Sequence, residues 1–186
     1  MTESTASHRS ISPEYALLGL LYLQPSHGYE LHRLLSVELG HAWRISQSQN
    51  YAILKRLETQ GDLSSRSVEQ ENHPTLQMLK VTKAGRRRFE AWLETPTGSS
   101  VRAIRLDFIT RLYFTQKLAP QKTLPRIADQ TEAAQNMLSR LEAKQAELAE
   151  GQVFNRLSLQ LRIRQLRSVL EWLSECQVEF LPLGKR

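Results

Sequence analysis

The chain has 186 residues, 40% of them apolar and 24% charged, which is the balance of an ordinary soluble globular protein and excludes a disordered one. It carries a formal charge of +6, a pI near 9.7 and one cysteine, Cys176, so it closes no internal disulfide and suits a polyanionic partner. No apolar run approaches the roughly 20 residues of a membrane span, and the start "MTESTASHRSISPEY" lacks the basic-then-apolar pattern of a secretion signal, so a cytoplasmic protein with no membrane partner is expected.

Residues 1–12 read as a loose N-terminal tail. Pro13 then opens a short apolar helix, "PEYALLGLLYL", because the N–H that proline lacks has no helical partner at the first turn. "QPSHG" ends it. A second helix, "GYELHRLLSVELG", carries Leu31, Leu34 and Leu35 on one face and Gly40 as its C-cap. The third, "SQSQNYAILKRLETQG", begins at Ser46, spaced with Gln49 as an S-x-x-Q capping box, and ends at Gly61, the left-handed residue.

"DLSSRSV" and "LQMLKV" read as two extended segments around the polar turn "EQENHPT", a hairpin. Thr82 caps a fourth helix, "KAGRRRFEAWLE", with Phe89, Trp92 and Leu93 on one side. "RRR" (86–88) spreads around that axis and reads as a solvated face. "TPTGSS" (95–100) is the clearest break in the chain, with 96–100 as the linker proper.

Beyond it everything looks helical. "VRAIRLDFITRLYFTQKL" (101–118) aligns Val101, Ile104, Phe108 and Leu112, and "APQKTLP" breaks it. Ile127, Thr131, Ala134, Leu138, Leu141, Gln145 and Leu148 follow at alternating steps of four and three, a coiled-coil seam. The last helix repeats the spacing with Leu159, Ile163, Leu166, Leu170 and Leu173. Cys176 falls in that pattern and reads as a small buried residue, not a catalytic thiol. Trp92 and Trp172 likewise read as core.

Three helices, a hairpin and a fourth helix are the order of a winged helix-turn-helix, in which the third helix enters the DNA major groove. The expected fold is mainly α with a small β-hairpin: a winged-helix domain at 13–95 and a helical, coiled-coil-like dimerisation domain at 101–186. At about 100° per residue, Ile53, Leu54 and Leu57 seat the third helix, while Ser48, Ala52, Lys55 and Arg56 point away, flanked by Gln49 and Tyr51. Ser48, Gln49 and Ala52 suit base edges; Lys55, Arg56 and the Tyr51 hydroxyl suit phosphates. Asn50 projects toward the seated side, where an apolar residue is expected. On the wing, Arg66, His73 and Lys80 are the candidate contacts.

The seam residues Ile127, Ala134, Leu138, Leu141, Leu148, Leu159, Ile163, Leu166 and Leu170 are the candidate dimer contacts, with an intramolecular bundle as the alternative. The charge is not gathered on the reading half. Residues 1–96 hold 11 Lys+Arg against 10 Asp+Glu, and residues 97–186 hold 14 against 9.

Residues 13–95 resemble the PadR-type winged-helix transcriptional regulators. The matching pieces are "ALLGLLYLQPSHGYEL", the spacing of Ser46, Tyr51, Leu54, Leu57 and Gly61, and "KVTKAGRRRFEAWL". The C-terminal half looks like the longer-tailed branch that includes virulence-gene activators. One departure falls on the wing. Family members carry Arg-Lys-Tyr-Tyr where this chain reads "LQML" (76–79), so the family's basic and aromatic wing residues are missing. The resemblance implies a homodimer joined by C-terminal helices, double-stranded operator DNA as partner, a phosphate role for Tyr51 and a small hydrophobic or phenolic effector.

No enzyme is expected: the five histidines lie without metal-ligand spacing, and there is no phosphate loop, nucleophile elbow or CxxC. No cofactor or metal follows. The reading is a sequence-specific DNA-binding regulator, leaning to repression, acting as a homodimer on a pseudo-palindromic operator. The alternative is a winged-helix and coiled-coil module that binds a partner protein and no DNA.

Overall fold

The computed structural model describes residues 11–70 and 73–181. The chain forms two compact units, 1–94 and 95–186.

The first unit is built on α1 (Glu14–Leu23). Its central residues, Ala16 to Leu21, are all buried, so it has no polar face to show. That is why "ALLGLL" lacks a helical alternation: a helix surrounded by its neighbours is apolar all round. Packed on it are α2 (Gly28–Leu39), α3 (Gln47–Thr59) and α4 (Lys83–Glu94). Leu17, Leu18, Leu21, Leu31, Leu35, Leu57 and Phe89 are fully buried and form the core. Each contributes roughly 1.5–3 kcal/mol by leaving water. Trp92 is core, as its spacing predicts, and stacks on Tyr15 with ring centroids 4.7 Å apart.

The hairpin pairs β2 (Leu63–Gln70) with β3 (His73–Val81), antiparallel. A two-residue strand, β1 (Ser26–His27), adds to the other side of β3, giving the order β1-β3-β2. Nothing in "PSHG" carries a strand pattern; β1 is extended because β3 offers it a free edge. His27 also caps α2, its Nδ1 accepting the Glu30 N–H at 3.3 Å. Gly40 is the C-cap of α2, but at φ −64 it is right-handed and makes no left-handed ending. Gly61 does, at φ +77, and the Asp62 N–H returns to the Leu57 carbonyl at 2.9 Å, closing a Schellman ending on α3.

In the second unit the run 101–118 is helical but not uniform. Between α5 (Val101–Ala103) and α6 (Ile109–Leu118) lies a π-helical turn, Ile104–Phe108. After a short 3-10 turn at Pro120–Lys122 come α7 (Thr123–Ala146) and α8 (Val153–Glu179), which pack as an antiparallel hairpin. Pro125 stands third in α7, where no N–H partner is lost.

Ile127, Ala134, Leu141, Ile163, Leu166 and Leu173 are buried together with Ile104, Phe108 and Leu112 of the preceding run. Leu138, Leu159 and Leu170 are partly buried against the same cluster, and Leu148 is half-buried. The burial of this seam therefore belongs to one chain: the intramolecular bundle accounts for it, because the run 101–118 supplies the third wall that a bare two-helix hairpin lacks. Trp172, read as core, is only half-buried, with its ring edge-on to Phe108. Cys176 is half-buried too, and burial pushes its thiol up to about 11, the inert cysteine expected. No described helix is long and apolar enough to cross a membrane.

Candidate nucleic-acid interface

Helix α3 starts with a complete capping box. The Ser46 hydroxyl accepts the Gln49 N–H at 3.2 Å, and the Gln49 side-chain oxygen accepts the Ser46 N–H at 2.8 Å. Ile53, Leu54 and Leu57 are buried, and Ser48, Gln49, Tyr51, Ala52, Lys55 and Arg56 are exposed. Three of these exposed residues are nevertheless engaged within the chain. The carbonyl oxygen of Gln49 is held by the cap, so the amide meets adenine on both edges only by giving up that bond. Arg56 is drawn back to Glu14 at the start of α1. Tyr51 lays its ring across the backbone of Gly28, where a Cβ would stand 2.5 Å from Cε1.

What remains is the stripe Ser48, Ala52 and Lys55, at helical spacing i, i+4, i+7, with no ion pair among the described residues. It offers a hydroxyl, a methyl and an ammonium along one outward line. Serine bonds base edges of either type, alanine meets the thymine methyl, and lysine reaches phosphate.

Asn50, left unassigned by periodicity, is fully buried, and its Nδ2 donates to the Gly28 carbonyl at 2.9 Å. A polar residue sits on the seated side because it pins the front of α3 to the first turn of α2. Gly28 so meets two successive residues of α3: its carbonyl takes the Asn50 amide, and its missing side chain makes room for Tyr51. Tyr29, next to it at the start of α2, is 60% exposed. It belongs to the "HGYEL" segment, so an exposed tyrosine directly follows the glycine that Tyr51 covers.

Of the three arginines of α4, Arg87 is exposed, while Arg86 and Arg88 lie against neighbours within the chain. Arg88 pairs with Glu14 and with Asp62, and its guanidinium lies 5.2 Å over the Tyr15 ring. Burial is the largest single influence and works against its charge, but Asp62 and Tyr15 together outweigh it and raise its pKa. Arg86 lies 4.8 Å over the ring of Tyr22, whose hydroxyl donates to Glu90. Glu14 thus ties α3 and α4 to the start of α1 through Arg56 and Arg88 together.

On the hairpin the register puts Leu63 opposite Val81 and Ser65 opposite Leu79, with all but Ser65 buried. The other face carries Ser64 opposite Lys80 and Arg66 opposite Met78. Arg66 and Lys80 are therefore diagonal neighbours on the outward face, and both are exposed. The His73 side chain lies outside the described residues. Among those residues no group of His, Cys, Asp and Glu is arranged to hold a metal.

Residues 17–91 match the transcriptional regulator PadR-like family, and residues 104–179 match the virulence activator alpha C-terminal family. The chain is 29% identical over 137 residues to the negative transcriptional regulator PadR of Bacillus subtilis, across 73% of this chain and 74% of that one. It is 28% identical over 82 residues to a probable transcriptional regulator of Mycobacterium tuberculosis, across 44% and 43%. Among solved structures, Bacillus subtilis PadR in complex with operator DNA aligns at a TM-score of 0.43 and 25% identity, covering 90% of this chain and 98% of that one. The Vibrio cholerae virulence activator AphA aligns at 0.40 and 21%, covering 90% and 97%. The family match and the Bacillus relative favour a regulator over a partner-protein module. The two family matches span most of the molecule, in an unbroken order of winged helix and long-helix arm, and residues 17–91 form a PadR-like transcriptional regulator domain.

Proposed function

We propose that the chain is a homodimeric repressor that sets α3 into the major groove of a pseudo-palindromic operator, with the β2–β3 hairpin along the flanking backbone. The observation that carries this is the outward stripe of α3. Ser48, Ala52 and Lys55 are exposed together, while Gln49, Arg56 and Asn50 are held by the cap, by Glu14 and by Gly28. Lys55 fixes register, Ser48 and Ala52 read bases, and the Tyr29 and Tyr51 hydroxyls are placed for phosphates. Arg66 and Lys80 give the wing its positive face despite the missing family motif. The sign of regulation follows the named role of the Bacillus relative. A small hydrophobic or phenolic effector belongs to the same reading.

The dimer contact is proposed on α8. Its buried seam is used within the chain, but Val153, Phe154, Leu157 and Leu161 form a second apolar stripe, with Phe154 85% exposed. A lone helix does not leave such a row to water without a partner. Two chains joined there would present two α3 helices to a two-fold site.

The test is an electrophoretic shift with DNA from the chain's own upstream region. Specific binding should weaken steeply with salt, and Lys55→Ala should weaken binding to all sequences while lowering the salt slope by about 1. Ser48→Ala should instead relax preference at one base pair. Salt-independent binding, or a Lys55→Ala protein indistinguishable from wild type, would remove α3 from the groove.

A further inference from the structure

The second unit carries two adjoining grooves between the run 101–109 and α8. One, of about 460 Å³, has Arg102, Arg105 and Arg162 at its rim over a floor that includes Met137, Leu141 and Leu166. The other, of about 420 Å³, is walled by Ile104, Ile109, Val169 and Trp172. They share Val101, Arg105 and Gln165, so they meet end to end at Arg105. Each is the size of a small-molecule site, which typically measures about 300–1,000 Å³.

At this place the arginines stand without a carboxylate partner among the described residues. Arg33, Arg56, Arg88, Arg111 and Arg167 all pair with a carboxylate. Arg102, Arg105 and Arg162 form no ion pair among the described residues, and no Asp or Glu lines either groove. Three like charges converge on one mouth with no counter-charge, above an apolar floor. A guanidinium offers paired donors matched to a carboxylate. Nucleic acid would meet the charges but leave the apolar channel empty.

The second groove supplies the other half of the requirement. Its wall is almost wholly apolar, and the half-exposed Trp172 is an aromatic surface waiting for cover. Arg105 stands in the π-helical turn, a feature that recurs at functional sites and that here sets the residue at the junction of the two grooves.

We propose that this double groove binds an amphipathic monoanion: a carboxylate held by Arg102, Arg105 and Arg162, with an unbranched apolar chain running past Gln165 to Trp172. Length is part of the recognition, because a single-ring acid satisfies the arginines and leaves the Trp172 groove in water. The site goes beyond operator binding and does not rest on it. Binding is read without DNA, so its failure leaves the operator reading standing, and the reverse holds too.

The test uses the full chain with sodium hexadecanoate below its micellar concentration, followed by calorimetry and tryptophan fluorescence. One ligand per chain should bind saturably and change the emission. Hexadecanol and octanoate should each bind roughly tenfold more weakly, the first for want of charge and the second for want of length. Arg105→Gln with Arg162→Gln should lose at least as much, and Trp172→Phe should abolish the emission change while heat is still released. The proposal is overturned by an absence of saturable binding, by hexadecanol binding as well as the acid, or by unaltered binding in the arginine variant. It is also overturned if Arg105→Glu changes the sedimenting mass while hexadecanoate has no effect, since a second copy of the chain then fills the groove. Should the arginine variant fail to fold, the comparison of acid with alcohol on the wild-type chain decides.

Discussion

Asn50 bonds the Gly28 carbonyl from a site with no exposure, while its own Oδ1 has no protein partner. Replacing it by Ala removes the bond that pins α3 to α2 and leaves a small void, and should cost about 1–2 kcal/mol of stability in urea denaturation. An unchanged midpoint would mean that water replaces the amide without penalty. Gly28 itself is coupled to Tyr51. A methyl at Gly28 displaces the ring, so Gly28→Ala should weaken operator binding about as much as Tyr51→Ala, and the double variant should be no worse than either. Additive losses would show that the two residues act separately. Cys176 offers a chemical check on packing. With its pKa pushed up to about 11, the thiolate fraction at pH 8 falls roughly a hundredfold below that of a free cysteine. Alkylation by iodoacetamide should be slow in the folded chain and fast in urea.

The π-helical turn puts Arg111, 3% exposed, beside Asp107 at 2.9 Å, and Arg111 also bonds the Thr95 carbonyl. Removing the carboxylate takes a charged partner from a buried cation, which costs more than replacing the cation by a hydrophobe of similar volume. Asp107→Ala should therefore destabilise the second unit by about 3 kcal/mol, and Arg111→Met by clearly less. The opposite order, read from thermal unfolding, would place the charge in water. The heptad spacing predicts the faces of α7 and α8 but not their partner. Any apolar stripe at 3.5-residue spacing packs equally on its own chain or on another, and here Ile104, Phe108 and Leu112 fill the third side. The π turn is absent from any sequence pattern, because one extra residue per turn alters no propensity.

For the whole molecule, the two apolar stripes of α8 separate folding from association. Ile163→Asp places a charge in the bundle core and should unfold the second unit. Phe154→Glu with Leu157→Glu should leave the fold intact and convert a dimer of twice 21.4 kDa to monomer in sedimentation. A double variant that still sediments as a dimer would move the contact elsewhere. Charge across the chain makes the same separation. The first unit is near neutral, and its charges differ in placement: Lys55, Arg66 and Lys80 are exposed, while Arg56 and Arg88 are turned to Glu14.

Local rules decided what is local. Capping chemistry set the start of α3 at Ser46, the left-handed glycine at Gly61 set its end, and apolar spacing chose Ile53, Leu54 and Leu57 as its seat. Each depends on residues within a turn or two, so the sequence alone carries them. Tertiary structure decided which charges are spent and which remain. Arg56 lies 42 residues from Glu14 and Arg88 lies 74, and no pattern along the chain joins them. The same holds for Asn50, a misfit on its own helix that becomes a fastener once Gly28, 22 residues earlier, comes against it. Long-range pairing has no period, so only the folded chain shows it.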